Sequence, residues 1–99
     1  MHVIGYYFLS YPDDDPEDPT FAATRMGVFL GEASDTLQSF QGHYALQVYT
    51  FRYVQEEFFN RSKPLAGRSM IIVPTLARDW MNEFLDTNVD SLPEWGELE

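Results

Sequence analysis

Carboxylates are the side chains whose types and spacing suggest chemistry in this sequence, and that chemistry is electrostatic recognition. Asp79, Glu83, Asp86 and Asp90 follow one another at intervals of four, three and four residues. On an α-helix these positions fall within about 60° of arc, at 100° per residue. No Lys or Arg occurs from residue 79 onward to relieve their mutual repulsion. The spacing predicts an acidic stripe that binds a basic partner, with a merely solvated outer helix face as the alternative.

A second concentration of acid lies in residues 12–19, which contain three prolines and five acids. Such a segment cannot form a strand or a helix interior, so an exposed, self-repelling loop is predicted. An EF-hand would require Gly at the sixth place and Glu at the twelfth, but Asp18 and Thr24 occupy those places. A solvated loop or a docking loop is therefore favoured over a metal site. The candidate partner-binding residues of the loop are Asp13, Asp14, Asp15, Glu17 and Asp18.

The two acidic segments flank a nearly neutral body. Residues 1–18 carry five acids and no Lys or Arg, and residues 79–99 carry seven acids and no base, within a net charge of −10. Concentrated negative charge attracts a cationic partner and repels nucleic acid and anionic lipid. Direct nucleic-acid binding is therefore not expected. The bases Arg52, Arg61, Lys63 and Arg68 are expected to pair with acids of the chain itself.

Residues suited to catalysis are scarce. The chain has no Cys and only two histidines, His2 and His43. It lacks a Gly-x-Ser-x-Gly nucleophile elbow and a Gly-rich phosphate loop. Glu56 and Glu57 are adjacent, so on a strand they would face opposite sides. We therefore predict no enzymatic activity, no cofactor and no metal site.

The aromatic residues offer anchors for binding. Sixteen of the 99 side chains are Phe, Tyr or Trp, which is many for a core of this size. Near the C-terminus, Leu92, Trp95 and Leu98 recur at intervals of three. Trp95 is accordingly predicted to anchor a partner, or alternatively to pin the C-terminus onto the domain.

The elements that must position these residues follow from hydrophobic periodicity. The range 21–30 is ambiguous between strand and helix, and a strand is favoured because Gly27 weakens a helix. The first strand is expected inside the sheet because both of its faces are apolar. The last helix is expected to start at Thr75 as its N-cap. Its wide apolar face would consist of Leu76, Ala77, Trp80, Met81, Phe84 and Leu85. The predicted strands are 3–10, 21–30, 43–54 and 69–73, and the predicted helices are 32–41 and 75–88.

Together these elements predict a single α+β domain spanning residues 1–99. It would have an antiparallel sheet of three or four strands with two helices in the order ββαββα. A ferredoxin-like βαββαβ order is the runner-up. The acidic loop 12–19 and an acidic tail, 89–99, would extend from this domain. The longest apolar runs are far too short to cross a membrane.

The function that these features favour is a small acidic inhibitor that blocks a basic target by nucleic-acid mimicry. A nuclease or another protein that handles nucleic acid is the natural target, because such proteins carry basic grooves. A toxin immunity protein and a viral anti-defence protein fit equally, in the cytoplasm of a prokaryote or of a virus-infected host cell. The alternative is a non-catalytic oligomeric scaffold or accessory subunit with an aromatic interface. Either a monomer or a small homo-oligomer is compatible with the sequence.

Overall fold

The computed structural model describes residues 1–12 and 15–99. In that part of the chain, five strands form one sheet, and the connections contain three α-helices and two short 3-10 turns. The predicted α+β class is confirmed. The strands are β1 (His2–Phe8), β2 (Ala23–Gly31), β3 (Gly42–Thr50), β4 (Met70–Val73) and β5 (Glu97–Leu98). The helices are α1 (Phe51–Glu57), α2 (Arg78–Thr87) and α3 (Leu92–Trp95), and the 3-10 turns are Phe59–Arg61 and Val89–Ser91.

The sheet is mixed, so the prediction of a purely antiparallel sheet is wrong. Strands β1, β2 and β3 are consecutive and antiparallel, whereas β4 lies parallel to β3 on its other side. The parallel pairing arises because α1 and the segment after it form a crossover that returns the chain before β4 begins. Strand β5 pairs antiparallel with Tyr44 and Ala45 of β3. The observed order βββαβααβ replaces both ββαββα and βαββαβ, and the described residues form three α-helices rather than two.

Several predicted boundaries are also corrected. The range 32–41 is a loop rather than a helix, because short polar side chains bind its backbone locally. Asp35 Oδ2 accepts a hydrogen bond from Glu32 N at 2.6 Å, and Ser39 Oγ accepts one from Thr36 N at 2.9 Å. Strand β3 ends at Thr50 because the Thr50 side chain caps α1 by accepting from Tyr53 N.

Two further predictions concern the strands of the N-terminal half. The ambiguous range is a strand, β2, which begins at Ala23. Strand β1 lies at an edge of the sheet rather than inside it. Its apolar character on both faces comes instead from two different environments, which are the buried core on one face and an aromatic cluster on the other.

One face of the sheet packs under α2 and forms the core. Alternate residues of β2 and β3 point to this face, and register partners such as Met26 and Leu46 lie side by side on it. Met81 and Leu85 of α2 and Leu92 of α3 pack onto them and are fully buried. The core consists of Phe8, Ala22, Met26, Val28, Leu30, Leu46, Val48, Val73, Leu76, Met81, Leu85 and Leu92.

Candidate protein-binding surface

The orientation of α2 decides which of its side chains reach solvent. Met81 and Leu85, four residues apart, are the fully buried positions of the helix. Trp80 and Phe84 pack against the core but are only half-buried, so the predicted apolar face is fully buried at Met81 and Leu85 and only partly buried at these two residues. They lie about 100° from Met81 and Leu85, on the flank of the helix. The helix also begins later than predicted, since Ala77 is its N-cap and Thr75 Oγ1 instead accepts from Ala77 N at 3.1 Å.

The acidic stripe, defined as Asp79, Glu83, Asp86 and Asp90, is exposed along its whole length. Its first three members lie on α2 and share the solvent side that the burial of Met81 and Leu85 imposes. Asp90 does not belong to the same helix, because α2 ends at Thr87 and Asp90 lies in the following 3-10 turn. The structure thus places three of the four predicted carboxylates on one helix face and the fourth just beyond its end.

The acidic loop is attached to the beginning of α2. Asp15 accepts a hydrogen bond from Arg78 Nε at 2.7 Å, and Arg78 is the first residue of α2. The same guanidinium lies over the Phe8 ring, with Cζ 4.9 Å from the ring centroid. Pro16 is buried, so this part of the loop packs on the domain. The Arg78 contacts therefore bring the two acidic segments of the sequence together at one end of α2.

The predicted loop residues have different environments. Glu17 is exposed, whereas Asp18 lies 3.0 Å from Arg52 in an ion pair. The hydroxyl of Thr20 donates to Asp18 Oδ1 at 2.7 Å and lowers the pKa of Asp18, and Arg52 lowers it further. Asp13 and Asp14 lie outside the described residues. Of the candidate carboxylates in the described part of the loop, Asp15 and Asp18 are therefore already engaged within the chain.

Several arginine side chains form exposed ion pairs with acids of the same chain. Arg25 pairs with Glu99 at 2.7 Å. Arg52 pairs with Glu56, and Arg61 pairs with Glu57. The expected pairing with acids of the chain itself holds for Arg52 and Arg61, whereas in the described part of the chain Lys63 and Arg68 form no ion pair. Among the described residues, no ion pair involves any member of the acidic stripe. Those carboxylates remain available to an external cation.

Trp95 extends a row of aromatic rings along the flank of α2. The Trp80 and Phe84 rings stack at a centroid distance of 5.0 Å and an interplanar angle of 13°. Phe84 and Trp95 stack at 6.1 Å and 22°. We call Trp80, Phe84 and Trp95 the aromatic flank. Trp95 thus packs onto the domain and remains half-exposed, so both predicted roles are compatible with its position.

A cavity of about 520 Å³ lies between β4 and the aromatic flank. Its walls are Met70–Ile72 of β4 together with Phe84 and Trp95, and Gly67 and Ser69 also line it. Sequence reasoning missed this site. The short strand and the tryptophan were both recognised, but they are distant in sequence and no local pattern indicates that they meet.

The second face of the sheet carries another aromatic cluster that the sequence did not reveal. The Phe29 ring stacks on His43 at a centroid distance of 4.3 Å and packs against Phe40 at 4.8 Å. Tyr7 joins this cluster through a hydrogen bond of 3.1 Å between its hydroxyl and His43 Nε2. The Tyr7 ring also covers Gly27, its register partner on β2. Tyr7 and Phe40 remain more than a third exposed, at 39% and 38%.

In the described ranges, no group of three or more His, Cys, Asp or Glu side chains is arranged to hold a metal ion. Across those same residues, every buried side-chain nitrogen or oxygen has a hydrogen-bond partner. None of the helices formed by residues 1–12 and 15–99 has the length and apolar character required to cross a membrane.

The chain was also compared with known proteins. No protein-family model matches it, and neither the search of curated proteins nor the search of solved structures produced a significant match.

Proposed function

We propose that this protein is a small acidic inhibitor that binds a basic, nucleic-acid-handling target and occupies the target's phosphate-binding groove with carboxylates. The observation that carries the proposal is the acidic stripe. It is exposed and free of ion pairs among the described residues, whereas the arginines at positions 25, 52, 61 and 78 are paired with other acids. A toxin immunity protein and a viral anti-defence protein would both use such a surface.

Charge arrangement supports binding to a protein groove. Three carboxylates spaced along one helix face resemble a short row of phosphates in sign and regularity. The exposed Glu17 lies on the loop that Asp15 attaches to the same end of α2 through its ion pair with Arg78, so Glu17 adds one more negative charge near the stripe. Basic grooves of nucleic-acid-binding proteins bind rows of phosphates with this pattern of negative charge. The half-exposed aromatic flank beside the stripe supplies the apolar contact that slows dissociation.

The test reverses charge within the stripe and, as a control, outside it. The stripe variant is Glu83→Lys/Asp86→Lys. The control variant, Glu32→Lys/Ser34→Lys/Gln38→Lys, makes the same change in net charge at exposed positions outside the stripe. Rim charges act mainly on the association rate, so the stripe variant should associate much more slowly at low salt. The difference should shrink near 0.5 M salt, where screening acts within roughly 4–5 Å.

The measurement is association kinetics with a basic protein retained on the immobilised wild-type chain and released by duplex DNA. Release by DNA, but not by a neutral polymer of similar length, is expected if both ligands occupy one groove. Equal association rates for the stripe and control variants, unaffected by salt, would show that the stripe is only a solvated helix face. A retained protein that DNA does not release would refute the mimicry.

A second function is favoured by a different observation, the aromatic cluster on the other face of the sheet. Tyr7 and Phe40 expose enough ring area there to contribute to an interface between copies of the chain. This would suit an oligomeric scaffold or accessory subunit. Sedimentation of the purified protein separates the two functions, because the scaffold requires a stable oligomer. The substitution Phe40→Ser should then dissociate that oligomer.

A further inference from the structure

The outer edge of β4 has free backbone hydrogen-bonding groups. Ser69 O accepts from Gln47 N at 2.8 Å, which fixes the register of β4 against β3. Backbone groups of successive strand residues point to opposite edges, so those of Met70 and Ile72 point away from β3. Among the described residues, β4 has no strand on that side. An extended segment added there would satisfy these groups by strand pairing.

The cavity described above adjoins this edge on the core side of the sheet. An added strand would direct alternate side chains into its volume of about 520 Å³, against Ile71, Phe84 and Trp95. The intervening side chains would point to the opposite face of the sheet, beside Ile72, which both borders the cavity and is 41% exposed. The site therefore selects an extended segment in which two kinds of side chain alternate.

Negative charge near the cavity favours a basic segment as its occupant. Glu83 lines an adjoining hollow together with Trp80 and Phe84, and the exposed Glu94 immediately precedes Trp95. Among the described residues, no carboxylate lines the cavity itself, and Arg68 stands between two of its lining residues, Gly67 and Ser69. The attraction for a basic segment comes from Glu83 in the adjoining hollow and from the net charge of −10. The same net charge disfavours pairing between two copies of this chain. Lys and Arg stems pack well on aromatic rings while their charged ends reach carboxylates.

We propose that the free edge of β4 binds an extended segment of the partner in which Lys or Arg side chains alternate with apolar ones. The basic side chains enter the cavity beside Phe84 and Trp95, and the apolar ones cover Ile72. This inference rests on the proposed function, since it takes the partner to be basic. It adds backbone pairing at β4 to the electrostatic contact made by the acidic stripe.

The test uses an end-blocked, eight-residue peptide that alternates Arg and Val. Its dissociation constant is measured by calorimetry and its position by amide chemical-shift changes. Ile72→Pro removes the outward N–H of residue 72 and leaves the hydrogen bonds to β3 intact, because proline is tolerated at such an edge position. Ile72→Thr is the matched control, since it also removes apolar surface but keeps the N–H. Thermal melts establish that both variants fold.

We expect the largest shift changes at Met70–Val73 and at the Trp95 indole. Ile72→Pro should bind the peptide about tenfold more weakly than Ile72→Thr, through one lost hydrogen bond and a steric block. An Arg–Gly peptide of equal charge should also bind more weakly, since it lacks β-propensity. Equal affinities for the two variants would overturn strand pairing at β4. A homodimer broken by Ile72→Pro would also overturn the proposal, because a second copy would then occupy the edge.

The same experiment separates this inference from the proposed function. If Ile72→Pro and Ile72→Thr bind a basic target equally but Glu83→Lys/Asp86→Lys does not, the inhibitor function stands and the docking site is wrong. If neither the Arg–Val peptide nor any basic target binds the wild-type chain, both proposals fail.

Discussion

The substitution Leu85→Ala tests the orientation of α2, on which the position of the acidic stripe depends. Leu85 is fully buried against the sheet, on the side of the helix opposite Glu83. Replacing a buried Leu by Ala removes its transfer free energy and leaves a cavity, which together cost about 2–5 kcal/mol. A domain of this size has a total stability of roughly 5–15 kcal/mol, so the loss is a large fraction of it.

The expected loss of unfolding free energy can be converted into a change in melting temperature. For domains of 60–100 residues, 1 kcal/mol shifts the melting temperature by about 4–8 °C. A loss of about 3 kcal/mol should therefore lower the melting temperature of the Leu85→Ala variant by roughly 12–24 °C. Urea denaturation should give the same loss in free energy of unfolding with an unchanged slope, because the native surface is unaltered.

Leu98→Ala is the matched control, since it makes the same chemical change at a side chain that is 74% exposed. It should change the free energy of unfolding by no more than about 0.5 kcal/mol. Trp80→Ala should fall between the two variants, because Trp80 is half-buried on the flank of the helix. If Leu85→Ala were no more destabilising than Leu98→Ala, α2 would not pack as described. The exposure of the acidic stripe, which is inferred from the burial of Leu85, would then be unsupported.

Two further predictions concern the sheet and the acidic loop. Gly27→Ala should lower the free energy of unfolding by about 1 kcal/mol in urea, because the new Cβ would displace the outer end of the partly exposed Tyr7 ring and its hydrogen bond to His43. The loss should be much smaller in a Tyr7→Ala background, and an equal loss there would show that the ring is not the cause. Thr20 and Arg52 lower the pKa of Asp18 from its usual 3.8, so the charged carboxylate stabilises the folded state. Wild type should therefore melt above Asp18→Asn at neutral pH, and the difference should vanish as the pH falls through the lowered pKa; a pH-independent difference would contradict this.

Local patterns were sufficient for the fold class and for much of the secondary structure. Strand β4 was expected within one residue of its observed start, because a short β-branched run bounded by Ser69 and Pro74 is a strong strand signal. The acidic stripe was also foreseeable, since the spacing of carboxylates on a helix depends only on helical geometry. The prediction of a helix over residues 32–41 was wrong because hydrogen bonds to the Asp35 and Ser39 side chains compete with helical hydrogen bonds. The spacing of apolar residues does not reveal this competition.

The sequence by itself determined a strongly acidic chain, a helix with three carboxylates on one side, and strands rich in apolar residues. These features depend on composition and on short-range periodicity. Tertiary structure decided which side of α2 is buried, because Met81 and Leu85 fit the sheet while Trp80 and Phe84 lie on the flank. It also decided that the acidic loop meets α2 through Arg78, and that Trp95 meets β4 around a cavity. Such contacts join residues far apart in the chain, and their free energies depend on packing that no local pattern encodes.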